Sequence, residues 1–295
     1  MKRLLIPVCI LFLLHLPSVA QDCGSPPVSS QNEEPGDGID YDDLDELNRK
    51  LENPLSKVWS LVFQDNVNLN KGDGVEGTHT GNTFFFQPFL PVPVKGAVLS
   101  VRPVFPIVTT QILDSTSPTG VSSRTTGFGD IQVLSLIGPD RADGVVWGVG
   151  STFRFPTASS SATGAGKHQV GPAGLLFYSG KKWVAGIVAQ QWWSVAGDET
   201  RAGTSSSEFQ YVIRRRVPGA MSLGVGPPVT VNWKAPDGEK LTFPAGFGVV
   251  KMVRAGKMPV KLKAEVHYNV VRPSYFATAW TFRFQVTPVI RSPFL

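Results

Sequence analysis

The stretch VKLKAEVHYNVV, Val260 to Val271, alternates apolar and polar residues along almost its whole length. Val260, Leu262, Ala264, Val266, Tyr268 and Val270 share one parity, and Lys261, Lys263, Glu265, His267 and Asn269 share the other. Successive side chains of a strand point to opposite sheet faces, so this pattern specifies a strand with one apolar and one polar face. Eleven more segments read as strands. With 259–271 the set is 58–70, 82–92, 96–109, 128–138, 144–156, 169–178, 182–195, 206–216, 220–234, 240–253 and 278–291. SLGVGPPVTVNW, WTFRFQVTPVI and FQDNVNLN alternate as cleanly as the first, whereas 182–195 is weakly patterned.

The connections alternate too. Those after odd-numbered strands are long (KGDGVEGTHTG, TQILDSTSPTGVSSRTTG, TASSSATGAGKH, AGDETRAGTS), and those after even-numbered strands are tight (PVK, GPDRAD, SGKK, VPG). Sorting long loops to one end and short turns to the other is the habit of an up-and-down transmembrane barrel. A sandwich with Greek-key connections has no reason for it. Many segments reach the 9–11 residues needed to cross a bilayer at a tilt. Trp59, Trp147, Trp183, Trp233 and Trp280 lie at or near strand ends, where interfacial aromatic belts form. Only 17% of residues are charged, and no run of about 20 apolar residues follows the amino terminus. The expected fold is all-β, a single antiparallel transmembrane barrel of about twelve strands over 58–291. A secreted soluble β-sandwich is the competing class.

The first 20 residues read as a signal peptide, with Lys2 and Arg3 before an apolar core and Ser18-Val19-Ala20 before the cleavage point. Export leaves Cys23 as the one cysteine, so no intrachain disulfide forms; lipidation of Cys23 is a rival reading that Asp22 disfavours. Residues 21–57 carry 10 acidic and 3 basic groups, net −7, against 23 basic and 13 acidic over 58–295, net +10. The spacing of Leu44, Leu47 and Leu51 predicts a short helix ended by Pro54, within a leader that is otherwise polar and largely disordered. Two readings of this periplasmic leader stand: a solvated tether, with or without a periplasmic partner, and an acidic segment drawn to cations at the barrel mouth as a partial plug.

Parity assigns Gln64, Asn66, Asn68, Gln87, Arg102, Gln132, Arg154, Gln210, Arg214, Asn232, Lys261, Lys263, Glu265, His267, Asn269, Arg283 and Gln285 to the lumen. The charged members are mostly cationic, so they set selectivity through field or pair to fill a closed lumen. Glu265 is a partner for Lys263 or Arg283. Asp130 follows Gly127 and Gly129 where a strand begins, and reads as a rim or turn residue. Catalysis finds little support: His267 lacks a serine elbow, the four histidines are scattered, and GVGSTF and GAGK lack phosphate-loop spacing. No enzyme activity, metal, cofactor or nucleic acid is expected. The expected partners are outer-membrane lipid, the assembly machinery and a small-molecule solute.

GFGDIQ (127–132), WGVGSTFRFPTA (147–158), GAGK (164–167), QWWSVAGD (191–198) and YNVVRP (268–273) resemble, in order, the outer-membrane family grouped under the MetA pathway of phenol degradation. Members are often labelled transporters, and some bear the misleading name neuromedin U. The resemblance implies a bacterial outer-membrane barrel that passes small molecules, aromatic or anionic ones among them; a structural or adhesion barrel without transport is the alternative. The acidic block at 30–52 is an addition to that pattern. The ending SPFL also departs from it, with Phe294 penultimate where many barrels end in an aromatic residue.

Overall fold

The computed structural model describes residues 40–291; the expected signal peptide, Cys23 and Phe294 lie outside them. A helix, α1 (Leu44–Leu51), precedes twelve antiparallel strands. These are β1 (Trp59–Lys71), β2 (His79–Val94), β3 (Ala97–Leu113), β4 (Val121–Phe128 with Ile131–Pro139), β5 (Gly144–Phe155) and β6 (Lys167–Ser179). The second half comprises β7 (Trp183–Gly197), β8 (Ser205–Val217), β9 (Met221–Val225 with Pro228–Asn232), β10 (Leu241–Ala255), β11 (Met258–Val271) and β12 (Ala277–Ile290). Each strand pairs with its sequence neighbours, and β1 pairs with β12 from Trp59 opposite Ile290 to Lys71 opposite Ala277, closing the barrel. The strand number and the order of the segments agree with the alternation in the sequence.

Loops 72–78, 114–120, 156–166, 198–204, 233–240 and 272–276 lie at one end, and turns 95–96, 140–143, 180–182, 218–220 and 256–257 at the other. The tightest turns need left-handed backbone, supplied by Gly96 (φ 72°) and Gly256 (φ 62°). The long connection expected after the third strand is mostly strand instead. Ile107–Leu113 pairs with Val121–Phe128, a hairpin extending the wall. Alternating β-branched residues such as Thr109, Ile112, Val121 and Thr125 favour that pairing over an irregular loop.

Three interruptions in the ladders follow from glycine and proline. β4 breaks at Gly129-Asp130, and β9 breaks at Gly226-Pro227, where proline lacks the N–H a ladder requires. The β2–β3 ladder pauses between Phe86 opposite Phe105 and Leu90 opposite Val101, across Pro88 and Pro103. The breaks across Pro88/Pro103 and at Gly226-Pro227 keep parity, with Leu223, Val225, Val229 and Val231 on one face. The break at Gly129-Asp130 instead slips the register by one, so Phe128 faces out and Gln132 and Leu134 face in.

The outward faces form an apolar belt. Val149, Leu176, Ile187, Ile213, Phe247, Val266 and Phe284 are all exposed, and so are Trp147, Trp183, Trp233 and Trp280 near strand ends. A soluble sandwich would bury the larger of these against a second sheet. One carboxylate interrupts the belt. Asp65, with the parity of Phe63 and Val67, accepts a 2.7 Å hydrogen bond from Asn82 Nδ2 on the neighbouring strand.

The interior is divided rather than uniformly polar. Inward residues of β4–β8, among them Leu134, Leu136, Val146, Leu175, Phe177, Val184 and Val188, form a buried apolar cluster. Charged and amide inward residues concentrate on β1, β11 and β12, with Gln132, Arg154, Gln190, Glu208 and Arg214 joining them from β4–β8. The apolar cluster explains why 182–195 looked unpatterned: Val184, Val188 and Trp192 face in while Trp183, Ile187 and Trp193 face out, so both faces are apolar.

Two measurements check this architecture. The protein should fractionate with membranes and migrate faster unboiled than boiled on a denaturing gel. Val266→Arg, placing a charge outward near the middle of β11, should destabilise the barrel by about 2–4 kcal/mol. Gln285→Arg, inward on β12, should lower the temperature of band conversion far less.

Candidate functional site

Within residues 40–58 the short helix expected from Leu44, Leu47 and Leu51 is present as Leu44–Leu51, and it is packed against the barrel rather than solvated. The local chemistry favours a helix: Asp43 caps it by accepting from Glu46 N–H (3.0 Å), acidic residues occupy the first turn, and Arg49 and Lys50 occupy the last. This helix and the chain that follows it sit inside the short-turn end of the barrel. Leu47 is fully buried with Val58, Ala220, Met252 and Val289. Leu55 joins the apolar wall of β4–β8. Gly148 makes room for it, because a Cβ there would meet Leu55 Cδ1 at 3.2 Å.

Polar groups lock the segment in place. Asn48 Nδ2 donates to Ser222 Oγ (3.0 Å), and Ala220 N–H donates to Asp45 Oδ1 (2.7 Å). Arg216 Nε donates to Glu52 Oε2 (2.7 Å), whose side chain has no exposure. Asn53 Nδ2 donates to Arg141 O (2.8 Å), and Lys57 pairs with Asp140 (2.6 Å). Arg49 pairs with Glu46 and reaches Asp143. Arg49 also holds the Glu46 carboxyl below its ordinary value of 4.5, chiefly by hydrogen bonding. The acidic leader therefore engages cations of the barrel, but it does so as an ordered plug with apolar anchors, a role its net charge alone does not specify.

Above residues 51–58 lies a cavity of about 300 Å³, floored by that segment and lined by Gln64, Gln87, Arg102, Gln132, Gln210, Arg214, Lys261, Lys263, Arg283 and Gln285. A second cavity of about 280 Å³ is lined by His267, Asn269, Thr281 and Pro244; Asn66, Pro228 and Arg283 border both. Between the two runs an ion-pair cluster. Glu265 Oε1 accepts from Arg214 (2.9 Å), and Oε2 accepts from Arg283 (3.0 Å), with Lys263 Nζ at 3.7 Å and His267 Nε2 at 3.4 Å. Arg283 Nη1 also donates to Gly226 O, which the break in β9 leaves free of the ladder. Gln210 Nε2 shares that carbonyl.

The remaining inward residues form polar rows. Asn66 Oδ1 accepts from Gln64 and Arg283, Asn68 Oδ1 from Thr281, and Asn70 Oδ1 from Thr278, so the β1–β12 seam is laced on its inner side. Gln285 donates to Thr287, Asn269 to Thr278 O, and Lys261 Nζ to Leu51 O in the plug. On the opposite wall the Arg154 guanidinium stacks 3.6 Å from the Trp192 ring centre and donates to Gln132, which continues to Gln190 and Glu208. Asn232 has lumen parity but lies exposed at the far end of β9. Asp130 bonds the backbone N–H groups of Ala158 and Ala165, which pins the 156–166 loop to the rim.

Parity brought the inward set to one lumen but missed Glu208, Gln190 and Trp192. Glu208 and Gln190 sit on the polar parity of their strands and were legible on that ground. Trp192 was not, since an aromatic residue in a barrel strand ordinarily faces outward. Among the described residues no cluster of His, Cys, Asp or Glu suits a metal ion.

A closed, even-stranded barrel with an apolar exterior and a polar, partly filled interior is a transmembrane β-barrel of the outer-membrane type. No family model matches the chain, and no curated protein matches it in sequence. Among solved structures it is similar to the COG4313 outer membrane channel from Pseudomonas putida F1, at 16% identity over 79% of this chain and 94% of that one, TM-score 0.58. It also aligns with the translocator domain of the autotransporter NalP from Neisseria meningitidis, at 13% identity over 80% of this chain and 88% of that one, TM-score 0.43. The first likeness establishes a shared barrel fold.

Glu265→Gln should be the most damaging single change in the lumen, because it leaves Arg214, Lys263 and Arg283 buried without their shared anion. A loss of about 3–5 kcal/mol is expected, read as earlier band conversion on heating. Leu55→Ala should cost about 2–5 kcal/mol of packing by the same readout. A carboxyl whose value falls on folding supports the fold above its ordinary range and loses that support in acid. The Glu46–Arg49 contribution should therefore be intact above about pH 4.5 and be lost progressively as pH falls from there through the lower value of the folded state.

Proposed function

We propose that this chain is a passive channel of the bacterial outer membrane for small molecules, with its periplasmic mouth closed at rest by residues 44–58. The observation that carries this reading is the arrangement of two lumen cavities on either side of the Glu265 cluster, the inner one floored by the plug rather than by barrel wall. The lumen supplies cavities lined by cations and amides, which support a reading of transport. The likeness to an outer membrane channel supports the same class. The five sequence motifs support a place in the MetA-pathway family, and with it uptake of small molecules, aromatic or anionic ones included.

The plug is held by two apolar anchors, Leu47 and Leu55, and a handful of polar and charged bonds, and is joined to the barrel covalently only through residue 58, so it is the element able to leave. A path through the barrel then runs past Arg214, Glu265 and Arg283, whose net positive field favours anions. Deleting residues 30–52 should raise single-channel conductance several-fold in planar bilayers and shift the reversal potential toward anion preference, most clearly at low salt. Unchanged conductance and ion preference would overturn the channel reading in favour of a structural barrel.

A further inference from the structure

We propose that the cavity above residues 51–58 is a binding site for a small amphiphilic carboxylate, its head group held by Arg102 with Lys263 and Arg283 and its apolar body lying on Phe85, Phe89 and Val104. The inference rests on the channel reading and names a class of solute for it.

The charge balance of the cavity carries the argument. Arg102, Arg214, Lys261, Lys263 and Arg283 line it, with Glu52 and Glu208 the lining carboxylates. Glu52 is already bonded to Arg216. Glu265, behind the wall, is shared by Arg214, Lys263 and Arg283. Glu208 accepts from Gln190. Lys261 reaches only the backbone carbonyl of Leu51.

Arg102 has no hydrogen-bond or ion-pair partner among the described residues, and its Nε is buried without one. The cavity thus holds more cations than carboxylates, and the Arg102 guanidinium, which feels the charge of Glu208 from a distance, makes no hydrogen bond or ion pair among the described residues. Positive charge gathered in a confined space is costly unless an anion answers it. A guanidinium offers a carboxylate two parallel donors, which makes Arg102 the natural anchor.

The second half of the argument is the apolar lining. Phe85 and Phe89 alternate with Gln87 on the inward face of β2, and Val104 lies two residues beyond Arg102 on β3, so one wall presents a charge beside an apolar patch. An inorganic anion would satisfy the charge and leave the patch unused, while a neutral apolar molecule would leave Arg102 unpaired. A volume of about 300 Å³ suits a short chain or a single ring attached to the head group.

The test uses the full chain in lipid nanodiscs, titrated calorimetrically with hexanoate, 1-hexanol and acetate against empty nanodiscs. Hexanoate should bind at least about tenfold more tightly than either of the others, since only it meets both requirements. Arg102→Gln should weaken hexanoate about tenfold, and Arg102→Lys, which keeps the charge but loses the paired donors, should weaken it by an intermediate factor of about three to five. Both variants are first shown to keep heat-modifiable mobility. Hexanol binding as well as hexanoate, or hexanoate indifferent to Arg102→Gln, would overturn the proposal. Conductance that rises on deletion of 30–52 without hexanoate preference would remove this site and leave the channel; hexanoate preference without conductance would do the reverse.

Discussion

A sheet surrounded by hydrocarbon has no water to satisfy an unpaired edge, and the pairing of β1 with β12 meets that constraint. Everything else in the molecule follows from it. Closure converts one face of every strand into an interior of fixed size. At twelve strands that interior is too wide to fill with side chains from the wall alone and narrower than an open porin. The seam is reinforced from within by Asn66, Asn68 and Asn70, which are bonded to Arg283, Thr281 and Thr278 across the two strands that closure brings together.

The excess interior volume is taken up in two ways. Toward the short-turn end, the chain preceding β1 folds back and packs Leu47 and Leu55 against apolar wall residues. Farther along, charged and amide side chains bridge the lumen in layers, with Glu265 as the shared anion of one and Arg154 on Trp192 in another. These solutions differ in how readily they reverse. The side-chain layers are rooted in the wall, and their charged members lose heavily if separated. The plug is tethered only through residue 58 and is held by contacts of ordinary strength.

The position of Glu265 shows how electrostatics and backbone geometry cooperate. Its neighbour Arg283 completes its bonding with the carbonyl of Gly226, which is available because the ladder of β9 is interrupted at Gly226-Pro227. A local failure of sheet pairing therefore supplies an acceptor that the ion-pair cluster needs. Polar groups in a low-dielectric interior are tolerated when each finds such a partner, and most here do.

The sequence by itself determined the number of strands and most of their inward residues, Trp192 being an exception, because period-2 alternation and the sorting of loops are local properties of a chain that must present two different faces. It also determined that an acidic segment precedes a cationic barrel. What the leader does was decided by tertiary structure. The leucines at 44, 47 and 51 announce a helix with one apolar stripe, but an identical stripe would serve a solvated helix pairing with another protein. Only the assembled lumen brings the apolar cluster of β4–β8 to Leu55 and the Arg216 guanidinium at the end of β8 to Glu52, and those partners come from strands distant in sequence. For the same reason the commitment of Glu265 to three cations, and of Arg102 to none, could not be read from parity, which assigns a side chain to a face without saying which neighbours share it.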